Sequence, residues 1–261
     1  MNSIKELFLS KKKNLLSIYF TAGFPQINST CKILDELIKN GVDLVEIGIP
    51  FSDPLADGPS IQKSSEIALK NGMNLSFLFE QLIQYRKKSI QKKNQIPLIL
   101  MGYFNPVLQF GIEKFCEKCN EAGISGTIIP DLPFDEYNKH YWKLFNKSGL
   151  KNIFLITPQT SEDRIKEIDK VSEGFIYAVS SASTTGNFLK IKDDTNSYFE
   201  KLNSMKLKNP VMVGFGIFNR ETFQKACRFA NGAIIGTAFI NSLRTNKTLK
   251  SDIKQFVEKI R

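Results

Sequence analysis

The residues best suited to chemistry lie in one segment, VDLVEIGIPFSDPLADGPSIQ, residues 42–62. Glu46 shares strand parity with Val42 and Leu44, so an extended backbone puts its carboxyl on the same face as those apolar side chains. A carboxylate among apolar neighbours must be paired, hydrated or protonated through a raised pKa. A raised pKa suits a group that both gives and takes a proton near neutrality. The bland alternative is a structural Glu bonded to loop amides. Asp57 follows in ADGP, where Gly58–Pro59 has the form of a helix start. Taken alone, Asp57 reads first as the cap of that helix. Asp53–Pro54 is a turn former. Three acidic groups so close together at a strand end suggest catalysis more strongly than any one of them.

A second constellation is poor in charge and rich in Gly, Thr and Ser. It comprises Thr184–Thr185–Gly186, Gly214–Phe215–Gly216 and Gly236–Thr237, each after a late apolar run. Glycine lets backbone N–H groups approach phosphate oxygens, and a helix N-terminus favours the anion. A short helix at Thr237–Leu243 would supply one. Phe215 is the aromatic residue most naturally placed in a ligand pocket.

The elements that must position these residues are eight short apolar runs: 15–20, 42–49, 97–102, 126–129, 152–156, 175–179, 210–215 and 233–235. Several are continuous and β-branched, as in strands covered on both faces. Helical patterns separate them at 28–40, 60–71, 112–122, 135–147, 161–171 and 220–230. These stop near Gly41, Gly72, Gly123, Gly149, Gly174 and Gly232. Residues 76–88 add a helix between the second and third runs, and 3–11 form a helix able to plug a barrel floor. The alternation predicts an α/β fold: a single (β/α)8 barrel spanning 1–261, with an extra N-terminal helix and a short extra helix after strand eight. An open doubly wound sheet is the alternative. Residues 180–194 read as a long loop after strand six.

Composition bounds the function. The formal charge is +10, but only six of the 36 basic residues are arginines, so the excess is a diffuse lysine surface rather than a forked phosphate-reading patch. No module for nucleic acid appears. There is no apolar stretch of membrane-spanning length, no Walker loop and no GxGxxG. The start, MNSIKELFLSKKKN, lacks the form of a signal peptide, which makes a cytoplasmic protein the expectation. Cys116 and Cys119 form a lone pair on a helical pattern, too little for zinc. The single histidine, His140, falls mid-helix and excludes any mechanism that needs two. No lysine lies inside the apolar runs, against a Schiff-base aldolase.

VEIGIPFSDPLADGPSIQ resembles the signature of tryptophan synthase α subunits. The likeness extends through YFTAGFP, MGYFNPVLQFGIEKF, IIPDLPFDE, LITPQTSEDRI, Gly214–Ile217 and AIIGTAFI. It implies a lyase of tryptophan biosynthesis that cleaves indole-3-glycerol phosphate to indole and glyceraldehyde 3-phosphate. By resemblance, Glu46 is the catalytic acid/base and Asp57 the second carboxylate, facing the indole N–H. Tyr177 matches an active-site tyrosine. Gly186, with Thr185 beside it, Phe215, Gly216, Gly236 and Thr237 match phosphate-binding positions. Tyr19, Met101 and Ile128 fall where the family lines its indole pocket. The loop SSASTTG departs from members that carry Arg after the first Ser. The likeness also implies no cofactor in this chain. It implies a pyridoxal-phosphate-dependent β subunit as partner in an αββα assembly, docked around Asp53–Pro54 and Asn105–Pro106.

Overall fold

The computed structural model describes residues 4–89, 95–179, 193–214, 216–243 and 248–261. Its strands are β1 (Leu15–Thr21), β2 (Leu44–Gly48), β3 (Leu98–Met101), β4 (Gly126–Ile128), β5 (Lys151–Ile153), β6 (Leu155–Ile156), β7 (Ile176–Val179), β8 (Val211–Gly214) and β9 (Gly232–Ile235). They run parallel in the order β5-β4-β3-β2-β1-β9-β8-β7-β6. Only Phe154 separates β5 from β6, so the two ends of this order are halves of one stave. The Phe154 carbonyl accepts the Tyr177 N–H at 3.0 Å where the stave changes neighbour. The nine segments therefore make eight staves around a barrel, and each falls on one of the eight apolar runs. The sixth stave is β7.

Alternation along the staves separates two cores. Leu15, Leu44, Ile99, Ile128, Ile153, Phe175, Met212 and Ile234 pack inside the barrel. Leu16, Ile18, Val45, Ile47, Leu100, Ala178 and Val213 point outward into the helical layer. Both faces are buried, which explains the continuous apolar runs. The helix Ile4–Ser10 sends Ile4 and Phe8 into the inner core, with the Phe8 ring 5.9 Å from Phe175, and so closes the floor.

The helices Ser29–Lys39, Pro59–Lys70, Leu75–Ser89, Ile112–Ala122, Glu162–Val171 and Arg220–Phe229 agree with the sequence patterns. The pattern over 135–147 is less regular than expected: Phe134–Glu136 leads into a π-helical turn, Tyr137–Tyr141, before Trp142–Lys147. Gly41, Gly72, Gly123 and Gly149 take positive φ at helix ends, but Gly174 and Gly232 do not: the helix before Gly174 ends at its C-cap Ser172 in extended backbone, and Gly232 already begins β9. The helices Phe104–Phe110, Asp193–Ser204 and Leu249–Ile260 were not anticipated, and Asp193–Ser204 begins inside the stretch read as a loop to residue 194. The last of the three is held to the floor by Arg261, whose guanidinium donates to the Gly41 carbonyl at 2.8 Å and to Asp43 at 2.6 Å. No helix among the described residues is long and apolar enough to cross a membrane.

Candidate active site

β1 and β2 lie side by side with Tyr19 opposite Glu46. Glu46 is fully buried. Its Oε1 accepts a hydrogen bond from Ser17 Oγ at 2.7 Å, and Oε2 has no partner among the described residues. Burial pushes the carboxyl up to about 8, against the opposing effect of the Ser17 hydroxyl. Glu46 is therefore a neutral acid at pH 7. Leu44 shares its inner face, as parity requires, but Val42 does not. Val42 precedes β2 and packs in the outer core.

Asp57 is positioned by the loop after β2. Pro59 is the first residue of the following helix and Gly58 its N-cap, with no side chain capping it. The cap reading of Asp57 is thus wrong: its Oδ2 accepts from the Tyr103 hydroxyl at 3.2 Å instead. The same hydroxyl accepts the Ala56 N–H at 3.0 Å, and the Tyr103 ring rests 5.0 Å from Phe51. The Asp57 N–H donates to Pro54 O at 3.0 Å, and Gln62 Nε2 donates to Asp57 O at 2.8 Å. Burial raises the Asp57 carboxyl to about 6, opposed by the Tyr103 hydrogen bond. At pH 7 Asp57 is an anion while Glu46 keeps its proton.

Two buried tyrosines feel both acids. The Tyr19 ring lies across Gly48 and the Tyr177 ring across Gly214. A Cβ would sit 2.3 Å from the Tyr19 hydroxyl at the first glycine and 2.2 Å from the Tyr177 ring at the second. Only glycine leaves room for each ring to cross the neighbouring stave. Burial, then the charge of Asp57 and, more weakly, that of Glu46, holds the Tyr19 phenol well above its usual range. Burial, then Glu46, Tyr19 and Asp57, does the same for Tyr177. Each phenol therefore lies within electrostatic reach of both acids. Ile128 is fully buried in the inner wall, and the partly exposed Met101 packs against it.

The later constellation is described in part. Gly216, after β8, is exposed and takes φ +74. Gly236 follows β9 and directly precedes the short helix Thr237–Ser242, as the sequence suggested, with Gly236 and Thr237 half-exposed. Thr185, Gly186 and Phe215 lie outside the described residues, as does most of the 180–194 loop.

Sequence reasoning missed Ser17 and Tyr103. A signal existed for both. Ser17 is the polar residue at an inner position of LLSIYFT, and Tyr103 sits just past the end of the third run. His140 is exposed, with Nε2 3.7 Å from Glu136 and no role at the staves' ends. Cys116 and Cys119 are buried free thiols. No cluster of metal-ligating side chains occurs among the described residues. Lys151 does open β5, at the floor end of the stave, where it pairs with Glu173.

The family model for the tryptophan synthase alpha chain matches residues 6–261. A tryptophan synthase alpha chain from Christiangramia forsetii is 58% identical over 261 residues, covering 100% of this chain and 99% of the relative. Among solved structures, the subunit alpha of tryptophan synthase from Legionella pneumophila superposes with a TM-score of 0.88 at 34% identity, covering 100% of this chain and 97% of that one. A chain of the tryptophan synthase complex from Pyrococcus furiosus gives 0.83 at 31% identity, covering 96% and 98%. With a match over nearly its whole length and a barrel that carries both acids of the signature segment, this chain belongs to the tryptophan synthase alpha chain family.

Proposed function

We propose that Glu46 and Asp57 perform, in this chain, the reaction of its family: cleavage of indole-3-glycerol phosphate to indole and glyceraldehyde 3-phosphate. The observation that carries this reading is a fully buried carboxyl held by one hydroxyl, Glu46, followed in the loop after the same stave by Asp57, held by the Tyr103 hydroxyl; burial raises the first further than the second. Protonated Glu46 delivers its proton to indole C3, which leaves an indolenine with positive charge on the ring N–H. Anionic Asp57 stabilises that charge as it develops. The Glu46 carboxylate then takes the proton of the C3′ hydroxyl. The O–H electron pair forms the aldehyde, the C3–C3′ bond breaks, and its electrons restore the indole ring. Glu46 ends the cycle as it began, protonated. Each step uses a side chain of the chain itself, and none requires a cofactor in it.

Tyr19, Met101, Ile128 and Tyr177 form the apolar wall for the indole ring in this reading. The phosphate is held by main-chain N–H groups at Gly216, Gly236 and Thr237, together with Thr185, Gly186 and Phe215. Support comes from exposed Gly216 with its positive φ and from the helix that begins after Gly236. The whole chain acts as one barrel domain in the cytoplasm. Its partner is a β subunit that carries pyridoxal phosphate and consumes the indole, in an αββα assembly. The Pyrococcus furiosus neighbour comes from a tryptophan synthase complex. The face offered here carries exposed Leu55 beside Asp53–Pro54, and Leu108 beside Asn105–Pro106. The test is release of glyceraldehyde 3-phosphate by Glu46→Gln and Asp57→Asn, each mixed with a β subunit. Each variant is expected to lose at least about 10²-fold in kcat while remaining folded. Near-normal turnover by folded Glu46→Gln defeats the assignment.

A further inference from the structure

The inner face of β1 carries one feature that apolar packing does not explain. Ser17 is fully buried between Leu44 on β2 and Ile234 on β9, both apolar. A hydroxyl in such a place costs stability unless it is hydrogen-bonded. Its partner is Glu46 Oε1, at 2.7 Å. The bond is equally particular from the other side, because among the described residues Glu46 has no other hydrogen bond and Oε2 stands unpartnered.

We propose that Ser17 is a positioning residue for the cleavage: by donating to Oε1 it fixes the plane of the Glu46 carboxyl and places the transferable proton on Oε2. A neutral carboxyl has one carbonyl-like oxygen and one hydroxyl oxygen. The oxygen that accepts the Ser17 hydrogen bond is the carbonyl-like one, so the proton resides on the other. The free rotation of a lone buried carboxyl is thereby reduced to one arrangement, with one oxygen held and one delivering. This rests on the reading of Glu46 as the acid/base.

The hydrogen bond also favours the ionised carboxyl. Among the described residues the titratable groups facing Glu46 are Tyr19 from β1 and Tyr177 from β7, and both phenols also feel Asp57 in the loop after β2. The phenols are held neutral, and Asp57 ionises at lower pH than Glu46. Deleting the hydroxyl therefore moves the Glu46 titration upward and leaves that of Asp57 in place.

The experiment compares Ser17→Ala, Ser17→Cys and Ser17→Thr in complex with a β subunit. Ser17→Ala is expected to lower kcat by about five- to tenfold, the scale of one hydrogen bond, with KM little changed. Its alkaline limb moves to higher pH, and the infrared band of the protonated Glu46 carbonyl shifts to higher frequency as its hydrogen bond is lost. Ser17→Cys fills the volume with a weak donor and is expected to behave like Ser17→Ala. Ser17→Thr, which keeps the hydroxyl, is expected to restore the limb and the band. Wild-type kcat and pH profile in folded Ser17→Ala or Ser17→Cys overturn the proposal. If Glu46→Gln is inactive in the same assay while those variants are normal, the positioning role alone fails. If Glu46→Gln is active, the reading beneath it fails.

Discussion

Replacing Glu46 by Gln is expected to destroy activity and stabilise the protein, and the second effect has a pH dependence that follows from the site. In the unfolded chain the carboxyl titrates near its ordinary value of 4.5, and in the folded barrel near about 8. Below pH 4.5 it is protonated in both states, and the comparison with Gln is between two neutral groups. Between these values the unfolded chain releases a proton that the folded chain keeps. Wild-type stability then falls relative to the variant by about 1.4 kcal/mol per pH unit. Above about 8 both states are ionised and the gap stops growing. The interval is about three and a half pH units, so the full gap is about 5 kcal/mol, of which about 3 kcal/mol is present at pH 7.

The pH-dependent part is the informative one. How well the amide packs shifts the two stability curves by a constant, whereas their divergence reports the proton. Other titrating groups are common to both proteins and cancel in the difference. Thermal unfolding of wild type and Glu46→Gln at pH 5, 6, 7 and 8 reads this out. A chain of this length shifts by a few degrees per kcal/mol, so the gap in Tm is expected to widen by on the order of 10 °C between pH 5 and 8. A gap that stays constant across that range would mean that the carboxyl is not held protonated, and the acid role of Glu46 would lose its physical basis.

Three further outcomes are expected. The profile of kcat/KM against pH is bell-shaped, rising as Asp57 ionises near about 6 and falling as Glu46 loses its proton near about 8; a plateau running unbroken from pH 5 to 9 contradicts the two-carboxyl scheme. Tyr103→Phe removes the hydroxyl that favours the Asp57 anion, so the acidic limb moves to higher pH while the alkaline limb stays. Gly214→Ala drives a methyl into the Tyr177 ring, for a cost of about 1–3 kcal/mol and a markedly raised KM; unchanged melting and kinetics show that the ring does not need that seat.

The barrel was legible because parallel staves buried on both faces leave continuous apolar runs, and each run matched a stave to within a few residues. The divided fifth stave was not legible, because Phe154 is as apolar as its neighbours and only the change of hydrogen-bonding partner marks the break. The helix Phe104–Phe110 was hidden by its own composition. It contains a proline and no charge, and its start is fixed by a residue remote in sequence, Asp131, whose Oδ1 accepts the Phe104 N–H at 2.8 Å. The π-helical turn at Tyr137–Tyr141 leaves no trace in an otherwise helical pattern.

The acids of the site were visible because each violates a local rule: Glu46 as a charge inside an apolar run, Asp57 as one of three acids at a strand end. Their partners gave a weaker signal, because Ser17 and Tyr103 violate little by themselves. Ser17 becomes informative only once β1 is known to lie beside β2, and Tyr103 only once β3 ends beside the loop after β2. The two acids are separated by eleven residues, yet each is tuned by a different neighbouring stave, 29 residues away for Glu46 and 46 for Asp57. Burial raises both carboxyls and a hydroxyl from a neighbouring stave draws each of them back, so their titration depends on strand order as well as on the signature segment. A chain that kept the whole segment but lost both hydroxyls would keep its two acids and ionise each of them at higher pH.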